Sequence, residues 1–372
     1  MTSRRHFVGG CFGWGLGAAA CGEDRSELRG DVIVSAQGDD ADRYAVTGSD
    51  REGAVASVRT GFRGHGLVVH PVDRARVVMV SRRPGTALVL ADMRRAEVVV
   101  RVEARPGTHF FGHGAFDPTG ARLYTTEADV AAGVGLIGVR DGVTLELIEH
   151  LPSHGIGPHE LVMMPDGETL AVANGGILTR PDTGRDKLNL ETMDPNLSYV
   201  DRQSGELLEA LRLDESKSSI RHMAVASDAT VAVGVQLQRE VTGHADPVAL
   251  GALHRRGEAL RPLQAEEAVW WGFDDYVGSV AIDDRRGLVA MTSPRGNVVG
   301  FWSLATGAFA GRVTMNDASG VTVTRDGFGF ACSNSLGDLR FIDGDTLEED
   351  PSRHRAHPDL RWDNHLATLS IS

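Results

Sequence analysis

A short segment recurs seven times along the chain and constrains the fold more than any other feature. Each copy has a small or polar residue, often histidine, followed by an alternating apolar strand and a turn with Asp, Pro or Gly. The anchor residues of the seven copies are His65, His113, His159, His222, Ser279, Ser319 and His365. Successive anchors lie 40 to 63 residues apart. Self-similarity at this spacing is typical of a β-propeller, in which each repeat forms one four-stranded blade.

The two ends of the chain complement each other. The last repeat stops after one predicted strand, residues 365–371, whereas the N-terminal segment supplies three predicted strands, residues 31–36, 43–47 and 53–60, and lacks a first one. We therefore expect the C-terminal strand to complete the N-terminal blade, which closes the ring and removes exposed sheet edges. The sequence predicts an all-β, seven-bladed β-propeller that forms a single domain over residues 22–372.

Two repeats are longer than the others. One contains residues 174–190, and the next contains residues 241–264, which are rich in charge and include His244 and His254. Long insertions in repeat proteins usually lie on one face, often the binding face. No further secondary structure is predicted in either segment.

The first 21 residues have the pattern of an export signal. Arg4 and Arg5 are followed by an apolar run from Phe7 to Ala20, which is shorter than the roughly 20 residues that a membrane-spanning helix needs. Twin-arginine signals direct export in bacteria. We therefore predict a twin-arginine signal peptide at residues 1–21 and a periplasmic protein. Cleavage at an Ala-x-Ala site and lipidation of Cys21 both remain open, and only lipidation would attach the protein to a membrane.

Charge and cysteine content exclude several classes of function. The formal net charge is −13, whereas proteins that bind nucleic acid carry a basic face, so we expect no nucleic-acid partner. Beyond Cys11 and Cys21 the chain has one cysteine, Cys332, so an internal disulfide is not expected. The sequence has no Cys-x-x-Cys-His motif, which excludes covalent c-type haem.

Histidine dominates the anchor positions. The first strand of each propeller blade lines the central channel, so equivalent residues of the repeats form a ring. Five of the seven anchors are histidine: His65, His113, His159, His222 and His365. Imidazole is the commonest side-chain metal ligand and suits zinc, copper, iron and nickel. We therefore predict a transition-metal site at one mouth of the channel.

Polar residues at the ends of the second strands should flank this ring, because these strands return to the same face. Glu127 and Glu160 are the carboxylates best placed to join a metal or to orient an imidazole. Four further residues are candidate ligand-binding residues: Arg82, Asn174, Gln236 and Arg295. The two arginines would attract an anion such as a carboxylate-bearing chelator.

A structural role for the histidines is the alternative. In WD-repeat propellers a Gly-His pair at this kind of position is hydrogen-bonded within its own blade, and Gly64-His65 and Gly112-His113 fit that pattern. The chain lacks the matching Trp-Asp ends, however, and the other three ring histidines do not follow a glycine. Both interpretations stay open at this stage.

Three segments of the chain match a family pattern: the twin-arginine start, Gly175-Gly176-Ile177 before the run from Gly184 to Leu190, and Ser219-Ile220-Arg221-His222. With the repeated histidines, they resemble a family of exported seven-bladed propellers that is catalogued as a domain of unknown function. Its members are often encoded beside imelysin-type periplasmic proteins linked to iron uptake. The resemblance implies iron as the metal and an imelysin-like partner. Copper and zinc remain alternatives, because imidazole suits them as well.

These observations favour a binding protein over an enzyme. The expected function is that of a periplasmic propeller that binds a metal ion or its chelate at the histidine-lined mouth, in metal uptake or handover. One alternative is a metal-dependent redox or lyase enzyme that uses the same residues. A second alternative is a protein-interaction platform whose histidines are structural.

Overall fold

The computed structural model describes residues 27–38 and 43–371. Within these ranges the chain forms seven four-stranded antiparallel sheets, which are the blades of a propeller, so the predicted fold class is confirmed. The predicted signal peptide at residues 1–21, which includes Cys21 as its last residue, lies outside the described residues. No helix in the described ranges is long and apolar enough to cross a membrane.

Strands account for most of the ordered secondary structure. In chain order they are β1 (Gly30–Gln37), β2 (Ala45–Asp50), β3 (Val55–Arg59), β4 (Gly64–Val69), β5 (Arg76–Ser81), β6 (Ala87–Asp92), β7 (Glu97–Glu103), β8 (Thr108–Phe116), β9 (Arg122–Asp129), β10 (Val134–Asp141), β11 (Leu147–Pro152), β12 (Pro158–Met163), β13 (Thr169–Asn174), β14 (Asn196–Asp201), β15 (Leu207–Leu211), β16 (Ser218–Val225), β17 (Val231–Leu237), β18 (Gly251–His254), β19 (Arg261–Pro262), β20 (Ser279–Asp283), β21 (Leu288–Ser293), β22 (Val298–Ser303), β23 (Phe309–Thr314), β24 (Ala318–Val323), β25 (Gly329–Asn334), β26 (Asp338–Asp343), β27 (Arg355–Ala356) and β28 (Trp362–Ile371).

The helical elements are short. They are one α-helix, α1 (Glu267–Gly272), and the 3-10 helices Leu190–Thr192, Arg239–Val241 and Pro351–Arg353. Blade 1 consists of β28, β1, β2 and β3, and blades 2 to 7 follow with four consecutive strands each, from β4–β7 to β24–β27. The innermost strands of neighbouring blades contact each other all around the ring.

Burial follows the position of a strand within its blade. The second strand of blade 2, β5, is fully buried from Val77 to Val80, because neighbouring blades cover both of its faces. Such strands appear in the sequence as short continuous apolar runs rather than as alternating ones. The outermost strand β23 alternates between half-buried and exposed residues, since only one of its faces packs on the blade. The core therefore consists of the apolar layers between blades.

The C-terminal strand closes the ring as predicted. β28 pairs antiparallel with β1, with Ile371 opposite Gly30 and Ala367 opposite Val34. The strand begins at Trp362, three residues earlier than predicted, and Trp362 is buried opposite Gln37 across an irregularity in β1. This extension brings Asp363 to the mouth of the channel.

The two long segments differ from each other. Residues 241–264 contain β18 and β19, the third and fourth strands of blade 5, rather than an insertion without regular structure. These strands have four residues and two residues, too few for a periodic pattern to show. Residues 175–189 form turns and loops between β13 and β14.

Candidate metal centre

Five adjacent blades each place one imidazole in the channel. The innermost strands β28, β4, β8, β12 and β16 carry His365, His65, His113, His159 and His222, in that order. Ser279 and Ser319 occupy the equivalent places in blades 6 and 7. All five histidines are buried, with exposed fractions between 1% and 9%. The equivalence of the repeats therefore puts five titratable groups into one water-poor space.

Glycines allow the rings of neighbouring blades to pack this closely. Gly112 has a φ of +111°, and a Cβ there would lie 2.7 Å from Cδ2 of His65. A Cβ on Gly66 would lie 2.9 Å from Nδ1 of His113. Since real Cβ atoms do not approach other atoms this closely, the glycines beside the first two histidines are needed for contact between the imidazoles.

The imidazoles form one continuous cluster. Ring centroids are 4.6 Å apart for His65 and His365, 4.9 Å for His65 and His113, and 4.9 Å for His159 and His222. His222 and His365, from the two ends of the five-blade arc, are 4.7 Å apart. The structure thus brings together all five histidines that the sequence indicated as metal ligands. We call them the central histidines.

Two groups of three within this cluster have the spacing of a metal site. In each group the ligand nitrogens lie within 4.8 Å of one another: His65, His113 and His365, and His113, His159 and His222. Nitrogens that bind one zinc ion at 2.0–2.1 Å are at most about 4.2 Å apart, so small ring rotations would bring either group into range. His113 belongs to both groups.

Each central histidine has a buried ring nitrogen without a hydrogen-bond partner among the described residues. These atoms are Nδ1 of His159, Nε2 of His113, His222 and His365, and Nδ1 of His65, which lies 3.7 Å from Oδ1 of Asp363. Most buried polar groups are hydrogen-bonded, and each unpaired one costs about 1–3 kcal/mol. Metal coordination requires ring nitrogens that make no protein hydrogen bond, so these five could act as ligands. His109 also has an unpaired Nε2 but belongs to neither group, so the clustering of the five rings is what distinguishes the central histidines.

Glu160 orients two of the central histidines. Nδ1 of His222 lies 3.2 Å from Oε2 of Glu160, and Nδ1 of His113 lies 3.6 Å from Oε1. The backbone N–H of Met223 also donates to Oε2, at 3.1 Å. A carboxylate beside Nδ1 holds the proton on that nitrogen and leaves the Nε2 lone pair for a metal. Glu160 therefore has the orienting position that the sequence suggested.

Asp363 is a second carboxylate beside the cluster, and sequence reasoning missed it. It lies 3.7 Å from Nδ1 of His65 and forms ion pairs with Arg82 at 3.2 Å and Arg63 at 3.1 Å. Burial by itself would raise the pKa of Asp363, but the interactions with His65, Arg82 and Arg63 hold it well below its usual range. A signal was present, since Asp363 lies two residues before the anchor His365 in the last repeat.

Burial favours the neutral form of the central histidines. It is the largest cause of their pKa shifts and lowers the pKa of all five, to about 3 for His113 and His222. For His222 the charges of Arg221, Arg83 and Arg82 lower the pKa further. Neutral imidazole is the form that binds metal ions, so the site needs no deprotonation before it can coordinate one.

Glu127, a candidate metal ligand from the sequence, has a different environment. It is fully buried in blade 3, where Oε1 accepts a hydrogen bond from Arg140 at 2.7 Å and Oε2 one from His150 at 3.0 Å. It belongs to neither of the two histidine groups. Both of its oxygens are engaged within the blade, which leaves Glu160 and Asp363 as the carboxylates in contact with the central histidines.

The four candidate ligand-binding residues have separate roles. Arg82 pairs with Asp363, as described above. Arg295 lies over the ring of Tyr276, 5.1 Å from its centroid, and Gln236 forms a β-bridge with Tyr276. Asn174 is fully buried and hydrogen-bonds with Ser153, Asn196 and Ser198. Asn174 therefore fixes loops, while the two arginines remain at the channel mouth.

A small cavity lies beside the central histidines. Its volume is about 90 Å³, and Glu160, His113, His365 and Ser279 are among its lining residues. That volume is large enough for several water molecules or one small ligand. Ser279, which replaces histidine in blade 6, is one of the lining residues, and a metal held beside this cavity would have room for further small ligands.

Comparisons with known proteins place the chain in a family. The sequence model of the family described as "Protein of unknown function (DUF1513)" matches residues 58–369. The chain belongs to this family. A search of curated proteins found no match. Among solved structures, hydrazine synthase of Kuenenia stuttgartiensis is similar with a TM-score of 0.62 and 15% sequence identity, over 84% of this chain and 89% of that one. At this identity the similarity to the DUF1513 chain shows a shared fold alone.

Proposed function

We propose that this DUF1513 protein binds a transition-metal ion through the central histidines and acts in metal uptake or handover in the periplasm. Iron is the metal we favour, with copper and zinc as alternatives. The observation that carries the proposal is the cluster of five buried imidazoles, which contains two groups of three with the spacing of a metal site and one unpaired ring nitrogen on each histidine.

The donor set supports a metal that accepts nitrogen ligands. Imidazole suits iron, copper, zinc and nickel, whereas calcium and magnesium prefer oxygen ligands. Cys332, the single cysteine in the described ranges, is fully buried in β25, and burial raises the pKa of its thiol. It therefore supplies no thiolate to the centre, and the ligands of the ion would be imidazoles with water or an external ligand.

The proposal also includes a location, the periplasm, and a partner protein. Delivery to the periplasm rests on the Arg4-Arg5 pair and the apolar run after it. An imelysin-like partner, and with it the role in iron uptake, rests on the resemblance to exported propellers encoded beside such proteins. A metal site inside a propeller channel suits handover, because a docked partner can cover one mouth.

A metal-dependent enzyme is the second candidate. The cavity of about 90 Å³ beside His113 and His365 has room for a small molecule next to a bound ion. Turnover of dioxygen or hydrogen peroxide by the metal-loaded protein, measured with an oxygen electrode and by peroxide absorbance, would favour this candidate over pure binding.

The deciding experiment is elemental analysis of protein purified from its native periplasm, with a matched pair of variants. His113→Ala combined with His159→Ala removes ligands from both histidine groups, and we expect it to abolish metal binding. His109→Ala is the control, because His109 lies on the same strand, is fully buried and is in neither group. It should keep the metal.

The outcomes separate the hypotheses. Loss of metal in the double variant but not in the control, with an unchanged circular dichroism spectrum, would support the metal site. A wild-type protein that binds none of the three metals, natively or after reconstitution, would contradict it. The central histidines would then be structural, as the interaction-platform hypothesis holds.

A further inference from the structure

Four arginines surround the channel mouth where the innermost strands begin. The second strand of each blade ends at this mouth. In the antiparallel register, Gly64 at the start of β4 lies opposite Ser81 at the end of β5, and Ser279 at the start of β20 lies opposite Thr292 near the end of β21. We call the four the arginine crown: Arg83 and Arg295 lie two residues after the ends of β5 and β21, Arg221 lies in β16, and Arg185 lies in the loop between β13 and β14.

The strand topology brings these four side chains to the same mouth, and their charges act on one another. After burial, the charges of Arg221 and Arg185 contribute to lowering the pKa of Arg83. Burial, together with Arg185 and Arg295, lowers the pKa of Arg221 to about 10. Like charges held together in this way are destabilising unless an anion lies between them.

No acidic side chain among the described residues is in contact with the crown, although Asp363 acts on Arg185 and Glu240 interacts with Arg295 at longer range. Within the described residues none of the four forms an ion pair, and the single side-chain hydrogen bond from a guanidinium joins Nε of Arg221 to Oγ of Ser219 at 3.3 Å. Arg221 is only 7% exposed. The neighbouring Arg63 and Arg82, by contrast, share the carboxylate of Asp363. In a chain of net charge −13, unpaired arginines at one mouth indicate a site for an external anion.

Aromatic rings hold two of the guanidinium groups in place. Arg295 lies over Tyr276 at 5.1 Å and Arg83 over Phe111 at 6.0 Å. The hydroxyl of Tyr276 accepts a hydrogen bond from Asn364 at 3.0 Å, which connects this side of the mouth to blade 1. A guanidinium that is stacked on a ring keeps its N–H edge free for two parallel hydrogen bonds to a carboxylate.

The crown is adjacent to the central histidines. Arg221 directly precedes His222, and the charges of Arg221 and Arg83 reach both His222 and His159. We propose that the arginine crown binds a polycarboxylate anion whose remaining oxygens reach the metal on the central histidines, so that the protein takes its metal as an anionic chelate. The part of this proposal that concerns the metal rests on the proposed function, whereas the anion site is inferred from the arginines alone.

The spread of the crown favours a polycarboxylate over a single phosphate. Its members belong to blades 2, 4, 5 and 6, so they approach the mouth from several directions. The oxygens of one phosphate all surround a single phosphorus atom, so they suit guanidinium groups that converge on one point. Several carboxylates on one carbon skeleton can pair with separate guanidinium groups and still leave an oxygen donor for the ion.

Calorimetric titration of citrate into metal-free protein tests the anion site. Because a hydrogen bond to a charged group contributes a factor of roughly 10 or more, Arg83→Gln with Arg221→Gln should weaken citrate binding about 100-fold. Arg295→Gln should weaken citrate binding about 10-fold. Because Arg295 is exposed, this variant should fold even if the buried double variant does not. The control, Arg95→Gln with Arg285→Gln, removes the same charge from turns at the opposite face and should leave binding unchanged.

Separate titrations distinguish this proposal from the metal site. The double variant His113→Ala with His159→Ala should still bind citrate but should lose Zn²⁺ binding, and citrate should strengthen Zn²⁺ binding in the wild type. If citrate fails to bind the wild type, or binds no more tightly than inorganic phosphate, the crown proposal is wrong even if Zn²⁺ alone still binds. Citrate binding without any Zn²⁺ binding would contradict the proposal that the protein takes its metal as a chelate, and would support only the anion site.

Discussion

Oε2 of Glu160 lies 3.2 Å from Nδ1 of His222, while its other oxygen lies 3.6 Å from Nδ1 of His113. Glu160 comes from blade 4, and the two histidines come from blades 5 and 3. One carboxylate therefore fixes the rings of both neighbouring blades. Since both contacts are to Nδ1, the two unpaired Nε2 atoms are the ones free to bind a metal.

Glu160→Gln should weaken metal binding without unfolding the protein. The amide oxygen can still accept the hydrogen bond from Nδ1 of His222, but the amide N–H group then faces Nδ1 of His113 and favours the other tautomer of that ring. Partners that orient metal-binding histidines typically contribute 10- to 100-fold in affinity, and we expect a loss of roughly that size in competition titrations with a chromogenic chelator. Glu209→Gln is the control, because Glu209 lies beside His254 at 3.9 Å, outside the central histidines. Equal affinities in the two variants would contradict the orienting role.

Metal should also stabilise the fold. A ligand that binds only the native state at 100 times its Kd adds about 2.7 kcal/mol, which corresponds to a rise of several degrees in Tm. The rise should be visible by differential scanning calorimetry and reversible with EDTA. The double variant His113→Ala with His159→Ala should show no rise, and His109→Ala should show the full one. An equal rise in both variants would mean that the metal binds elsewhere.

The repeat pattern predicts the fold and the ring because propeller geometry places equivalent residues at equivalent points. The anchor spacing therefore indicates seven blades, and the five anchor histidines meet in the channel. The repeat spacing does not predict which way a side chain within a blade points. Glu127 and Glu160 look alike in the sequence, yet Arg140 and His150 bind the first and two histidines contact the second.

Asp363 shows a different limit of the sequence. Asp363-Asn364 has the composition of a turn, and the predicted strand accordingly begins at residue 365. The structure extends the strand to Trp362 because that side chain is buried opposite Gln37. Only this tertiary contact places the carboxylate between His65 and two arginines.

Glu127→Gln should destabilise the fold but leave metal affinity unchanged. The substitution removes the negative charge that Arg140, 1% exposed, is paired with, and breaking a buried pair in this way typically costs about 3–5 kcal/mol. Urea unfolding would measure the loss, and a metal titration of the folded variant would show unchanged affinity. Loss of metal with unchanged stability would instead make Glu127 a ligand, as the sequence suggested.

The contribution of Glu127 should depend on pH in a defined direction. Burial raises the pKa of this carboxyl, but His150 and Arg140 outweigh it, so the folded-state pKa lies below the unfolded value of about 4.3. A lowered pKa stabilises the fold above the unfolded value, and this stabilisation is lost as pH falls through the folded value. The difference in unfolding free energy between wild type and Glu127→Gln should therefore be constant near pH 7 and shrink below about pH 4. A difference that grows in acid would show that another group is responsible.

Replacement of Arg4 and Arg5 by lysine should retain the precursor in the cytoplasm, because the twin-arginine pathway reads that pair directly. Fractionation followed by immunoblotting would show full-length precursor in the cytoplasm and little protein in the periplasm. Arg25→Lys with Arg29→Lys makes the same chemical change just beyond the signal and should be exported normally. Cys21→Ala then separates the two possible endings of the signal, since only a lipidated protein would move from the membrane fraction to the soluble periplasm. Normal export of the Arg4 and Arg5 variant would mean that another route carries the chain, and the proposed periplasmic role would then require a different signal.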